Sequence, residues 1–376
     1  MRNMKKIIYA DNAATTKLDI TAFEAMKPYL LYEYGNASQP YSFSRQPKKA
    51  LSEARQTIAE VINAHPEEIY FTSGGTESDN WVIKSTAFSA AGKQETITSA
   101  IEHHAILNSC RAIEQLGYPV TYLSPDKEGI ITPDALVDKI SDQTRLVSIM
   151  FSNNEIGTIE PIKELAHIAH QYGALFHTDA VQAIGHVKID VQELGVDMLS
   201  ASAHKFNGPK GIGFLYIRKG TGIIPFNDGG AQEFGFRAGT ENVASIVGMA
   251  TALKKNQNNL YENEVHISKL ENQLLNGLSG LDFVRNGSVN HIPGNVSLSF
   301  KGKDGEALLH RLDLVGICVS TGSACDSVNT QISHVLKAIG LDENYAVGTI
   351  RISLGKENTE EDVSAIITAL RKIVES

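Results

Sequence analysis

The sequence predicts an α/β protein: a mostly parallel central sheet flanked by helices, followed by a smaller C-terminal α/β domain. Three observations predict it. Short runs rich in Val, Ile, Phe and Tyr alternate with longer stretches of helical spacing, the pattern of strands joined by crossover helices. The 376 residues exceed one ordinary core and suit two domains, or one large domain with a smaller partner. Around 250–268 the pattern changes to a long polar helix, after which shorter strands and helices resume.

In chain order, 68–72, 145–151, 174–178, 197–202 and 213–217 read as buried strands of the first sheet. Ligand-binding residues of such a sheet gather at the carboxyl ends of its strands. In the second part, 295–300, 317–320 and 349–354 read as strands. The stretch 359–374 reads as a helix with Val363, Ile366, Ile367, Leu370 and Val374 on one face. The expected boundaries are 13–257 and 258–376, with residues 1–12 open to packing on the smaller domain.

A hydrophobic content of 42% with 20% charged residues fits a folded soluble chain and argues against disorder. The net charge of -9, with no Lys/Arg-rich block, disfavours nonspecific binding to nucleic acid and points to small-molecule chemistry. Cys110, Cys318 and Cys325 cannot all pair and lack the CxxC spacing of a metal or redox site; a reducing cytoplasm and no metal are expected. No segment approaches the ~18 apolar residues of a membrane span, and residues 1–8 hold no apolar signal core.

The run Ser202-Ala203-His204-Lys205-Phe206 ends an apolar segment just before Asn207-Gly208-Pro209-Lys210-Gly211. A partly desolvated lysine there favours the neutral amine or an imine, the state in which it reacts with an aldehyde cofactor. A surface lysine before a Gly-Pro turn is the commoner outcome. Phe71-Thr72-Ser73-Gly74-Gly75-Thr76-Glu77 joins a strand to a helix and sets glycines and hydroxyls where an anion is favoured. Its spacing matches neither phosphate-loop nor dinucleotide fingerprints, so a single phosphate fits better than a nucleotide. The alternative is an ordinary turn capped by Thr76. Asp179 ends the strand 174–178, and a buried carboxylate there needs a cation such as a protonated pyridine nitrogen, unless it is only a helix cap. Gln182 and Asn154 stand where they could bond a ring hydroxyl or the substrate.

These motifs, in order, resemble the cysteine desulfurases of the class V aminotransferase group, within the fold-type I pyridoxal-phosphate enzymes. The likeness runs through Tyr9-Ala10-Asp11-Asn12-Ala13-Ala14-Thr15-Thr16, Gly35-Asn36, the Thr72 to Glu77 turn and Glu102-His103-His104-Ala105. It continues through Asn153-Asn154-Glu155-Ile156-Gly157, His177 to Gln182, Ser202 to Lys205, Arg237-Ala238-Gly239-Thr240-Glu241-Asn242, Ser320 to Cys325, Ser333-His334-Val335-Leu336 and Ile350-Arg351-Ile352-Ser353.

The resemblance implies pyridoxal 5'-phosphate as cofactor, with Lys205 its Schiff-base lysine, Asp179 on the pyridine nitrogen and His103 stacked on the ring. Gln182 and Asn154 would contact the ring oxygen. Gly75, Thr76, Ser202 and His204 would hold the phosphate, with Thr240 supplied by the other subunit of a homodimer. Asn36, Asn154 and Arg351 would bind the substrate, Arg351 through its planar fork.

Cys325 selects the reaction. In the polar stretch Gly322-Ser323-Ala324-Cys325 it reads as an exposed loop thiol able to attack, whereas Cys110 and Cys318, in apolar settings, read as fillers. The implied activity converts L-cysteine to L-alanine, the sulfur passing to Cys325 as a persulfide. His103 would handle the thiol proton.

The Gly-Ser-Ala-Cys form resembles the long-loop group that serves iron-sulfur cluster assembly or tRNA thiolation, so an iron-sulfur scaffold protein or a thiolation enzyme is the expected acceptor. Tyr41, Phe234, Val328 and Ile332 depart from the family's usual pattern. Competing readings are a selenocysteine lyase or aminotransferase on the same fold, and a partner-dependent sulfur-carrying scaffold.

Overall fold

A computed structural model describes residues 7–89, 92, 94–321 and 332–375. Twelve strands are present among them: β1 Ile8–Tyr9, β2 Ile69–Thr72, β3 Glu95–Ser99, β4 Val120–Leu123, β5 Thr144–Ser148, β6 Leu175–Asp179, β7 Met198–Ser202, β8 Gly213–Ile217, β9 Phe283–Asn286, β10 Asn295–Phe300, β11 Ile317–Cys318 and β12 Thr349–Ser353. Seven form one sheet in the order β2-β8-β7-β6-β5-β3-β4. All its pairings are parallel except the two made by β8, which runs against β2 and β7. The mostly parallel sheet of a fold-type I enzyme is therefore present.

The reversal at β8 matters for the site, because the turn between β7 and β8 carries Lys205. At the start of β8 a Cβ on Gly213 would lie 2.3 Å from the carbonyl oxygen of Ala201 and 2.7 Å from the Cα of Gly74. Only glycine lets these backbones approach so closely. The phosphate-type turn after β2 and the lysine turn after β7 are thereby brought together.

A three-stranded antiparallel sheet, β12-β10-β9, and the parallel pair β1-β11 build the second core. Ile8 and Ala10 pack there with Val296, Leu298, Ile350 and Ile352. The helix Glu360–Val374 closes it with Val363, Ile366, Leu370 and Ile373. Its start is fixed by a reciprocal cap between Thr359 and Asp362.

The single helix expected around 250–268 is two, Val243–Asn258 and Leu260–Gly277. They part at Asn259, whose side-chain amide bonds the Lys255 carbonyl at 2.7 Å, the local competition by which asparagine interrupts a helical ladder. Among the described residues no helix is long and apolar enough to cross a membrane.

Candidate active site

The carboxyl ends of β2, β6 and β7, with the segments after β3 and β5, surround a cavity of about 530 Å³. Its walls bring together Gly75, Thr76, His103, Asn154, Asp179, Gln182, Ser202, His204, Lys205 and Arg351, residues drawn from 276 positions of sequence by topology alone. Asn36 and Thr240 do not line it. The Asn36 side chain accepts a bond from the Ser38 N–H. Thr240 borders a smaller cavity of about 200 Å³ that shares Ser73 and Gly211 with the main one. Cys325, like Val328, lies outside the described residues.

The anion-binding features come from one helix end. Gly74, with φ of +146°, precedes the helix Gly75–Phe88, which begins with no side-chain cap; Thr76 lies inside the helix and does not cap it. The positive end of that helix is left facing the cavity beside Ser202 and His204. His204 Nδ1 and Thr15 Oγ1 are 3.1 Å apart, and burial, then the charge of Lys205, push the imidazole down to about 4.

Lys205 sits in a turn built by backbone constraint. Asn207 takes φ of +62°, and a Cβ on Gly208 would meet the Ala203 Cβ at 2.7 Å. Lys205 Nζ donates to the carbonyls of Ala13 and Ala14, and Gln182 Nε2 donates to Ala13 at 2.9 Å. The Thr16 N–H and hydroxyl both donate to the His204 carbonyl at 2.8 Å. The strand-exit segment 13–16 is thus laced to the lysine turn.

Asp179, the last residue of β6, is buried, and one of its oxygens accepts the Val181 N–H at 2.9 Å. Burial pushes its carboxyl up to about 6, opposed by the Val181 bond and the Lys205 charge. The local cap and the cavity-facing position coexist. His103 caps the helix His104–Glu114 by accepting the Ala105 N–H on Nδ1 at 3.1 Å, which leaves its proton on Nε2. Burial and the Lys205 charge push it down to about 4, so its ring is neutral near pH 7.

Arg351 comes from β12 of the other sheet. Its Nη2 donates to Asp11 Oδ1 and its Nη1 to the Asn154 carbonyl, each at 2.8 Å, while Nε is buried with no partner among the described residues. Asn153 fixes the Asn154 turn by accepting the Glu155 and Ile156 N–H groups. Of the other thiols, Cys110 is wholly buried and burial raises it far above the ordinary range; burial also raises Cys318.

Residues 8–366 match the family model described as Aminotransferase class-V. A protein named Cysteine desulfurase IscS from Dictyoglomus turgidum is 48% identical over 376 residues, covering 99% of this chain and 95% of that one. The protein of the same name from Methanosarcina thermophila is also 48% identical, covering 98% and 92%. The chain belongs to the class-V aminotransferase family, among its cysteine desulfurases.

Solved structures agree. One titled NIFS-like protein superposes with a TM-score of 0.94 at 38% identity, covering 98% of the desulfurase chain and all of the other. Another, titled SspA in complex with cysteine, has a TM-score of 0.84 at 35% identity, covering 94% and 100%. The family depends on pyridoxal phosphate.

The desulfurase site fits that cofactor on its own chemistry. An uncapped helix end suits a phosphate, a buried carboxylate raised by burial suits a pyridinium, and a lysine adjoins both. Asp79 Oδ1 and Ser152 Oγ, of residues on the cavity wall, are buried with no hydrogen-bond partner among the described residues. Sequence reasoning missed Asp79, the Ala13 and Ala14 carbonyls, and an ion pair between Glu77 and Arg237. Both members of that pair lie in the quoted motifs, but nothing in either motif points across 160 residues to the other.

Proposed function

We propose that this desulfurase converts L-cysteine to L-alanine, with Cys325 taking the sulfur as a persulfide and passing it to an iron-sulfur scaffold protein or a tRNA-thiolation enzyme. The reading rests above all on one observation: Lys205, Asp179, His103 and Arg351 face one cavity, and the described chain on both sides of 322–331 is tied to that cavity's walls. Ser320 exchanges backbone hydrogen bonds with Arg351 at 2.6 and 3.1 Å. Ser333 Oγ donates to Glu155 Oε2 at 2.6 Å, next to Asn154, and His334 Nε2 bonds the Glu102 carbonyl at 3.0 Å, next to His103. Cys325 is five residues past Ser320, a span of at most roughly 18 Å.

When bound, pyridoxal phosphate supplies an electron sink for charge developing at the substrate Cα. Lys205 would hold its aldehyde, Asp179 its ring nitrogen, and Gln182 and Asn154 its ring oxygen, with His103 over the ring face. Gly75, Thr76, Ser202 and His204 would hold the phosphate. Arg351, on the cavity wall, would bind the substrate carboxylate, and Asn154 beside it would assist. Lys205 Nζ would also serve as the base that takes the substrate Cα proton. His103 Nε2, the ring nitrogen not bonded to the backbone, would face the substrate sulfur and handle its thiol proton. The Cys325 thiolate would then attack the substrate sulfur: the S–S bond forms, the C–S bond breaks, and the electron pair leaves with the carbon skeleton, which takes up a proton at Cβ and regains the Cα proton from Lys205 to become alanine.

A homodimer completes the reading. The helix Ile20–Leu31 and the residues after it expose Ile20, Phe23, Leu30, Leu31, Tyr32 and Tyr34, apolar surface suited to a second copy. Thr240 would then reach the partner's phosphate turn. We take 13–257 and 258–376 as the two domains. The pairing of β1 with β11 supports assigning 1–12 to the smaller one. Cysteine usage supports a cytoplasmic location.

The test is to incubate the purified protein with L-cysteine and analyse Cys325 by peptide mass spectrometry. One added sulfur at Cys325, with alanine as product, is expected. Substrate consumed with Cys325 unmodified, or pyruvate in place of alanine, overturns the assignment.

A further inference from the structure

Glu77 is the acidic residue in the first turn of the helix Gly75–Phe88 and lines the cavity at the end read above as the phosphate site. A carboxylate and a phosphate compete for the same positive helix end and repel each other. Glu77 does not stand there alone. Arg237 Nε donates to its Oε1 at 2.7 Å and Arg237 Nη2 to its Oε2 at 3.1 Å, a two-pronged fork with both side chains largely buried. The Ser73 N–H donates to Oε2 at 2.8 Å, so the same carboxylate also holds the turn before the helix.

The backbone that delivers Arg237 is itself constrained. Glu233 and Phe234 adopt φ of +46° and +58°, a left-handed conformation costly for residues with side chains. A second fork secures that turn: Arg55 Nη1 and Nη2 donate to Glu233 at 2.9 and 2.7 Å, and the Phe71 N–H donates to the same carboxylate at 2.9 Å. The strained segment is thereby anchored to β2, the strand that leads into the phosphate turn.

We propose that Arg237 is a positioning residue for cofactor phosphate: it cancels the charge of Glu77 and keeps that carboxylate on the Ser73 N–H, leaving the helix end free for the anion. Glu77 thus shapes the turn without repelling the ligand. The inference rests on the phosphate assignment of Gly75, Thr76, Ser202 and His204.

The test uses the full chain stripped of cofactor and titrated separately with pyridoxal phosphate and with pyridoxal, which lacks the phosphate. Arg237→Gln is expected to weaken pyridoxal phosphate binding by about tenfold and to leave pyridoxal within about twofold. Arg237→Lys, which keeps the charge but not the fork, retains most of the preference for the phosphorylated form. Glu77→Gln combined with Arg237→Gln restores it, because the uncompensated charge is gone. Equal loss of both ligands in Arg237→Gln, or no restoration in the double variant, overturns the proposal. If Arg237→Gln does not fold, the double variant and Arg237→Lys still decide it. Ser202→Ala separates this inference from its premise. If the phosphate lies elsewhere, neither Ser202→Ala nor Arg237→Gln changes the preference; if only the role of Arg237 is wrong, Ser202→Ala reduces it and Arg237→Gln does not.

Discussion

Asp179 and Glu77 are carboxylates on the wall of the same cavity, yet their surroundings treat them oppositely. Burial tends to raise both. At Glu77 the hydrogen bonds from Arg237 and Ser73 outweigh burial and hold the carboxyl below its usual range. At Asp179 burial wins, and the carboxyl is pushed up to about 6 against the Val181 N–H and the Lys205 charge. The difference is one of partners. Glu77 has a guanidinium fork of its own, whereas Asp179 has the Val181 N–H and the more distant charge of Lys205, and in the proposed reading the ring nitrogen of the cofactor would complete it. The protein completes the charge it uses for structure and leaves incomplete the charge it uses for chemistry.

The largest expected effect follows at once. If Asp179 meets the ring nitrogen as proposed, Asp179→Asn should lower alanine formation by about 100-fold, the scale of losing one charged stabiliser of developing charge. Glu77→Gln, whose role is structural, should cost less than about tenfold. Comparable losses in the two variants would break the contrast.

The stability of the cofactor-free chain should show the reverse order. A carboxyl raised from 3.8 to about 6 contributes no penalty at low pH, where it is protonated folded and unfolded alike, and an increasing one as pH rises through its folded value. Asp179→Asn should therefore stabilise the cofactor-free chain at pH 8 by on the order of 2 kcal/mol and have little effect near pH 4. For Glu77 the sign is opposite: its contribution is present above the ordinary carboxylate range and is lost as pH falls below it. Glu77→Gln should destabilise at pH 8 by about 1 kcal/mol, since its fork is partly screened by solvent. Denaturant midpoints of both variants across pH 4 to 8 check this, and a destabilising Asp179→Asn at pH 8 would count against the account of Asp179.

Much of this was legible in the sequence because it is local. β8 and β10 begin and end where their apolar runs do, and Asp179 and Ser202 were read at the ends of β6 and β7, where a parallel sheet collects its ligands. The strands that escaped notice are those with weak patterns. β4 is half-exposed, β9 lies at the edge of its sheet, β1 has only two residues, and β3, Glu95 to Ser99, carries polar side chains into a buried position. The antiparallel course of β8 was not legible, since nothing in an apolar run states its direction. Nor were the Ala13 and Ala14 carbonyls, because a backbone acceptor leaves no mark on residue identity. The Glu77 fork was hidden because sequence distance conceals pairing. Cys325 was singled out by composition, but the described residues do not include it.

Asp79 gives the smallest expected effect and the sharpest check on the floor of the cavity. Among the described residues it is wholly buried, its Oδ1 has no hydrogen-bond partner, and His177 Nε2, a cationic candidate, is 3.9 Å away. That histidine is spoken for by Ser148 at 2.9 Å and Ser200 at 3.0 Å, and burial pushes it down to about 3, so it brings no charge. Burial, then the neighbouring charge of Asp179, raises Asp79 well above the carboxylate range, with Glu102 adding to the effect and a hydrogen bond from Ser200 opposing it. Two buried carboxyls facing one cavity cannot both ionise cheaply, and Asp179 has the Val181 N–H and Lys205 to favour its charge. Asp79 is then the neutral acid of the pair, and Asn, its neutral isostere, should change stability at pH 7 by less than about 0.5 kcal/mol. The cofactor absorption band should be unchanged as well. Were Asp79 the charged member, Asp79→Asn would relieve a buried anion, stabilise the chain by more than about 2 kcal/mol and alter the band, which would reverse the assignment of roles between the two carboxyls.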